Sequence, residues 1–307
     1  MDTRKEIREF LTSRRARITP EEAGLRVYGA RRVPGLRREE VATLAGLSVD
    51  YYNRLERGNL GGASDGVLDA LSDALRLDSA ERAYLINLAR ASHAMSPRRR
   101  RRDTATLRPG IQWMLDSIVT AAAVAQNGRL DALGANHLGR ALYPAVFGDH
   151  HQPGNWARFV FFDPGAQSFY PDWDRAAGEC VAILRSEAAR RPHDRELSNL
   201  IGELATRSHP FRELWAAHKV QLLTTATRQI NHPIVGPLEL HFERLEVTAD
   251  PELLIVVLLA EPRSRSAEAL ALLASWAATH DVTPKADEPD AREPGPPEPQ
   301  HNRIRPQ

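Results

Sequence analysis

Apolar residues recur along the first third of the chain at the spacing of helices. Ile7, Phe10 and Leu11 share one side of an opening helix that runs out near Thr19-Pro20. Glu21 to Arg37, rich in glycine and arginine, reads as a loop. Two short helices are predicted next, Arg37–Ala45 with Val41 and Leu44 inward, and Val49–Arg57 with Tyr52 and Leu55 inward. Gly46 ends the first, because glycine enters the left-handed conformation without a side-chain clash; Leu47 plugs the gap, Ser48 caps the second helix and Gly58 ends it. Ser64 then caps a helix striped by Val67, Leu68, Leu71 and Leu75. Asp78 and Glu81 form a capping-box-like pair that opens a fifth helix burying Tyr84, Leu85 and Leu88.

The pattern changes after residue 103. LRPGIQWMLDSIV predicts a helix with Pro109 in its first turn, and Asn127-Gly128 between two short apolar runs predicts a hairpin. Helical spacing returns over roughly 135–147, 172–190, 194–207 and 209–218. VQLLTTATRQI, LELHFERLEV and LLIVVLLA read as strands, the second with one slip of its alternation, and SAEALALLASWA closes the region as a helix. The fold class expected is two domains. Residues 1–95 form an all-α five-helix domain, 96–103 a linker, 104–281 an α+β domain and 282–307 a disordered tail rich in proline and charge. The α+β domain should hold an antiparallel sheet of about five strands with helices on one face.

Charge divides along the same boundary. The chain's net charge is +1, but residues 1–102 carry 21 basic against 14 acidic residues, whereas 103–307 carry 20 against 26. An excess of positive charge at one end suits a polyanionic partner. The run SPRRRRRD, Ser96 to Asp103, is either a solvated hinge or a source of further phosphate contacts. In this setting the two short helices have the geometry of a helix-turn-helix. The second offers Val49, Asp50, Asn53, Arg54 and Arg57 to the outside, and a helix of that width enters the major groove. Asparagine pairs with adenine, arginine with guanine, and valine meets a thymine methyl. Arg57, with Arg37 and Arg38 at the start of the preceding helix, is placed for phosphates. Asp50 would repel a phosphate and fits there only by accepting from cytosine or from a neighbouring side chain. One short helix buries little surface, so two copies on a two-fold-symmetric operator are expected, making the protein a homodimer on double-stranded DNA.

The second region concentrates aromatic residues: Trp156, Phe159, Phe161, Phe162, Phe169, Tyr170, Trp173, Phe211 and Trp215 fall within about sixty positions. Such a cluster fills a core or lines a cavity. Arg158, within the apolar NWARFVFF, must reach solvent, pair with a carboxylate such as Asp163 or Asp172, or hold an anionic head group. Arg158, Phe162, Trp173, Trp215 and His218 are therefore the candidate ligand contacts. No H-E-x-x-H or comparable histidine spacing indicates a metal, and no nucleophile elbow or glycine-rich phosphate loop indicates an enzyme or a cofactor. Cys180 is the single cysteine and reads as a buried thiol. No apolar run is long enough for a membrane span, and the charged MDTRKEIREF is unlike a signal peptide, so a cytoplasmic protein without a membrane partner is expected.

LAGLSVDYYNRLERG resembles the XRE (Cro/repressor-like) helix-turn-helix family. The longer PGLRREEVATLAGLSVDYYNRLERG is similar to regulators carrying a C-terminal MmyB-like ligand-binding domain, and NWARFVFFDP, YPDW, ELATRSHPFRELWAAH and NHPIVGPLEL follow in that family's order. The resemblance covers about residues 5–280. It implies a PAS-like second domain with a pocket for a fatty-acid-like ligand, and recognition positions at Val49, Asp50, Asn53 and Arg54 with Arg38 as companion. The function implied is a transcriptional regulator that binds DNA sequence-specifically and senses a small, apolar molecule. The alternative is a regulator whose second domain is only a dimerisation or docking scaffold.

Overall fold

The computed structural model describes residues 3–25, 33, 35–93, 107–148, 154–217 and 225–280. The expected linker 96–103, the tail 282–307, His218 and the first part of VQLLTTATRQI lie outside these residues.

Five helices come first: α1 (Thr3–Arg17), α2 (Arg38–Leu44), α3 (Val49–Glu56), α4 (Asp65–Ala74) and α5 (Ser79–His93). Ile7, Phe10 and Leu11 of α1 meet Val41, Tyr52, Leu55, Leu71, Tyr84 and Leu88, all within 1% of full burial. Leu44 does not join them. It stays 38% exposed while Ala42 and Ala45 turn inward with Val41, because small side chains on that ridge let α3 approach closely. Gly46 (φ 63°) turns the chain between the two helices, and Ser48 accepts from the Tyr51 amide at 3.2 Å to cap the second. Gly58 (φ 99°) ends α3 directly against α1. A Cβ there would lie 2.4 Å from the Arg4 carbonyl oxygen, so only glycine permits the contact.

The rest of the chain builds a sheet wrapped by helices. In order, its elements are α6 (Pro109–Asp116), β1 (Ala122–Asn127), β2 (Ala132–Ala135), α7 (His137–Leu142), α8 (Pro144–Phe147), α9 (Trp156–Phe162) and α10 (Ala166–Phe169). They continue with α11 (Trp173–Arg190), α12 (Arg195–Arg207), α13 (His209–Ala216), β3 (Thr225–His232), β4 (Gly236–Val247), β5 (Asp250–Leu259) and α14 (Arg265–His280). The sheet is antiparallel throughout, in the order β2-β1-β5-β4-β3. Its main face carries Val124, Ile230, Leu240, Phe242, Val256 and Leu258 against a core reaching Leu142, Phe159, Leu184 and Leu273. The opposite face is apolar chiefly at β1 and β5, where Ala123, Ala125, Leu253 and Ile255 are covered by Leu115 of α6 and the adjoining Ile118, with Leu133 of β2 and Val247 of β4 at its margins.

That second apolar patch explains the slip in LELHFERLEV. No bulge occurs between Phe242 and Leu245, where the alternation slips, since pairing runs unbroken from His241↔Leu259 to Glu246↔Leu254 and the register shifts only between Glu246 and Val247. Leu245 and Val247 simply point to the other face, where Val247 packs beside the α6 cluster and Leu245 stays half-exposed. The β1–β2 hairpin forms as Asn127-Gly128 indicates, though its turn is longer than two residues. The Asn127 side chain accepts from the amides of Arg129 (2.9 Å) and Asp131 (3.0 Å), and Leu130 takes the left-handed conformation (φ 65°). The apolar spacing does not predict α9 and α10, because WARFVFF is apolar all round apart from Arg158 and has no polar face for periodicity to detect.

Candidate functional site

Two sites were indicated by the sequence, a reading corner on α2–α3 and a pocket beside the sheet. At the corner, Val49 (43% exposed), Asp50, Arg54 and Arg57 lie on the outer side of α3, with Asn53 half-buried between them. Arg54 rests its guanidinium 4.9 Å from the Tyr51 ring centroid, which limits the volume it sweeps. Asp50 sits in the first turn of α3, where a carboxylate meets the positive end of the helix dipole. This gives Asp50 a role in the helix itself, independent of any base.

Arg37 and Arg38 start α2 and differ. Arg37 is the N-cap residue. Its amide donates to Glu40 at 2.6 Å and its exposed guanidinium reaches Glu39 at 3.4 Å. Arg38 is tied inward: its Nε donates to Glu56 Oε2 at 2.7 Å, with its remaining edge facing solvent. Glu56 is 1% exposed and also receives Thr12 (3.0 Å) and Arg15 (2.8 Å) on its other oxygen. Burial pushes this carboxyl up, but the hydrogen bonds from Arg15 and Arg38 and the charge of Arg15 outweigh it and hold its pKa below the ordinary value. The apolar spacing alone does not single out this cluster. Its signal was the step from Tyr52 to Glu56, which places a carboxylate on the buried side of α3 where it needs a cationic partner.

The cavity lies between α11, α9 and the main face of the sheet and opens to solvent. Val124, Leu130, Trp156, Val160, Val256 and Leu258 form apolar walls, and Gln126, Tyr143, Tyr170, Glu179, Arg228 and Arg244 supply polar atoms. Arg228 forms an ion pair with Glu179 of α11 and lies 5.0 Å from the Phe242 ring centroid. Tyr143 shares hydrogen bonds with Tyr170 and Arg228, and burial raises the pKa of both phenols. Burial likewise pushes the Cys180 thiol up to about 12, so the wall holds a neutral thiol. Burial would lower the pKa of Arg228, but Tyr170, Tyr143 and Glu179 reverse this and keep it charged. Arg244 is different. It is half-buried, burial lowers its pKa, and among the described residues its guanidinium makes no ion pair.

The candidate ligand contacts named from the sequence fall elsewhere. Arg158 pairs with Glu203 of α12 at 2.9 Å, an internal ion pair with a different carboxylate from the two considered. Phe162 lies under Arg207 at 4.3 Å, and Trp173 donates to the Val160 carbonyl at 3.0 Å. Trp215 stacks on Phe211 at 5.5 Å. None of these four lines the cavity, and His218 lies outside the described residues. Arg228 was legible in principle, since it is two residues from the buried Ile230 on one strand and so shares its face. Among the described residues, no cluster of His, Cys, Asp and Glu could hold a metal ion, and no helix is long and apolar enough to cross a membrane.

The family described as MmyB-like transcription regulator ligand binding domain matches residues 107–273, and a helix-turn-helix domain matches residues 7–85. These families are of transcription regulators, not enzymes. No curated protein matches the chain.

Proposed function

Because the chain belongs to the MmyB-like transcription regulators, with a helix-turn-helix domain ahead of the ligand-binding domain, we propose that α3 reads an operator and that the cavity against α11 takes an anionic amphiphile. Asn53 and Arg54 are assigned to base edges and Val49 to a thymine methyl; Arg37, Arg57 and the free edge of Arg38 are assigned to phosphates. Asp50 is assigned to the first turn of α3 and to a cytosine amino group where one lies in reach. Residues 1–95 and 104–281 act as the DNA-binding and ligand-binding domains. The operator is two-fold symmetric and is bound by a homodimer.

The observation that carries the ligand reading is Arg244, a half-buried cation that makes no ion pair among the described residues, although the charges of Glu246 and Glu187 act on it, on a cavity whose other cation, Arg228, is paired with Glu179. A carboxylate there would meet Arg244, while an alkyl chain would lie on Val124, Trp156, Val160, Val256 and Leu258. A fatty acid has this form. Native mass spectrometry and calorimetry with dodecanoate test it: wild type should bind, and Arg244→Ala should bind roughly tenfold more weakly with unchanged melting temperature. Equal affinity of the two proteins would remove Arg244 from the site, and no binding by either would return the domain to a scaffold.

A further inference from the structure

The longest helix of the ligand-binding region has two working sides. Ala176, Glu179, Cys180 and Ile183 of α11 line the cavity, whereas Arg185 and Ala189 turn towards the first five helices. Ala189 is counted in the core of those helices, although it lies nearly a hundred residues beyond their end. Arg185 is fully buried and forms an ion pair with Glu6 of α1, itself 4% exposed. The same Glu6 oxygen accepts from the Tyr84 hydroxyl of α5 at 2.5 Å. Arg185 also donates to the Trp215 carbonyl at the end of α13, with its guanidinium 4.3 Å from the Trp215 ring centroid. One side chain of α11 thus joins α1, α5 and α13.

We propose that Arg185, through Glu6 and Tyr84, is the positioning residue that transmits the state of the cavity along α11 to the helices bearing the reading corner. The inference rests on the assignment of the cavity as the ligand site and of α3 as the reader. Its physical basis is the stiffness of a helix. Glu179 and Arg185 are six residues apart, about 9 Å of axial rise, so a shift of the cavity wall moves the guanidinium with it. The guanidinium cannot follow freely. A buried ion pair tolerates little change in geometry before one charge is left without its partner, so α1 and α5 either follow α11 or the pair breaks. The reading corner is fixed to the same core, because Gly58 at the end of α3 rests on the Arg4 backbone, two residues from Glu6. A ligand that favours one placement of α11 over another therefore biases the placement of α3, and that difference in affinity is what coupling requires.

Replacing both partners by apolar residues removes the link without leaving either charge of this pair facing an empty position. The test uses the full chain, as wild type and as the double variant Glu6→Leu/Arg185→Met. The cavity is perturbed in three ways: by dodecanoate, by Ile183→Ala and by Cys180→Met. Hydrogen exchange of the α1 and α5 amides and affinity for a selected operator are the readouts. In wild type each effective perturbation should change both by about fivefold. In the double variant the change should vanish while the operator is still bound. Equal responses in the two proteins, or no response in wild type to either cavity substitution, would overturn the proposal. Absence of dodecanoate binding would count against the ligand chemistry alone, since the two substitutions still decide the coupling. If the double variant does not fold, Tyr84→Phe, which removes only the hydroxyl on Glu6, is read in the same way, with the response expected to fall to about half.

Discussion

Glu56 and Glu179 are each buried on a helix and each met by two arginines, yet they serve different ends. Glu56 joins Arg15 and Arg38 across the packed corner of α1, α2 and α3. Glu179 joins Arg175 and Arg228 where the packing stops, and one side of the pair borders a cavity. The first cluster closes a structure and leaves outward-facing groups to act. The second stands at an opening and sets its polarity. The same ion-pair chemistry makes a rigid mount in one region and a lining in the other, and the surrounding packing decides which.

Removing Glu56 should break this comparison most strongly. Glu56→Ala leaves the mostly buried Arg15 without its carboxylate, and the helical region should lose about 3 kcal/mol in urea unfolding. The pH dependence follows from the same group. Its folded pKa lies below the ordinary 4.5, so its contribution is present above that value and is lost as pH falls through the lower one. Melting temperature should therefore drop more steeply below pH 4.5 in wild type than in Glu56→Gln.

Smaller effects are expected on the outward side of α3. Asn53→Ala should weaken operator binding by ~1–3 kcal/mol in a mobility-shift titration and relax the preference at one base pair. Its melting temperature should stay that of wild type, which would separate the reading face from its mount. Arg57→Ala should act least, lowering affinity evenly across DNA sequences and reducing the salt-dependence slope by about one per site. A sequence-selective loss in Arg57→Ala would move that residue from phosphate to base.

The reading corner was legible because its determinants are local. A glycine that must adopt positive φ, a serine that caps and apolar residues one turn apart are each decided within a few residues. The order of helices and strands in the second region was legible for the same reason, except where WARFVFF gave periodicity nothing to work with. The charge partners were not. Arg158 found Glu203 forty-five residues away, Arg185 found Glu6 across 179, and Arg228 found Glu179 across 49.

By itself, then, the sequence determined the uneven charge and, apart from α9 and α10, the elements, the capped corner and the antiparallel sheet, which follow from short-range sterics and from the alternation of apolar and polar residues. Only the tertiary structure decided that Leu44 faces solvent, that Glu56 anchors Arg38, that Arg228 and Arg244 rather than Arg158 border the cavity, and that α11 touches both regions. Those outcomes depend on which distant side chain desolvates against which. Burial of a charge is settled by its partner in space, and no spacing along the chain encodes that partner.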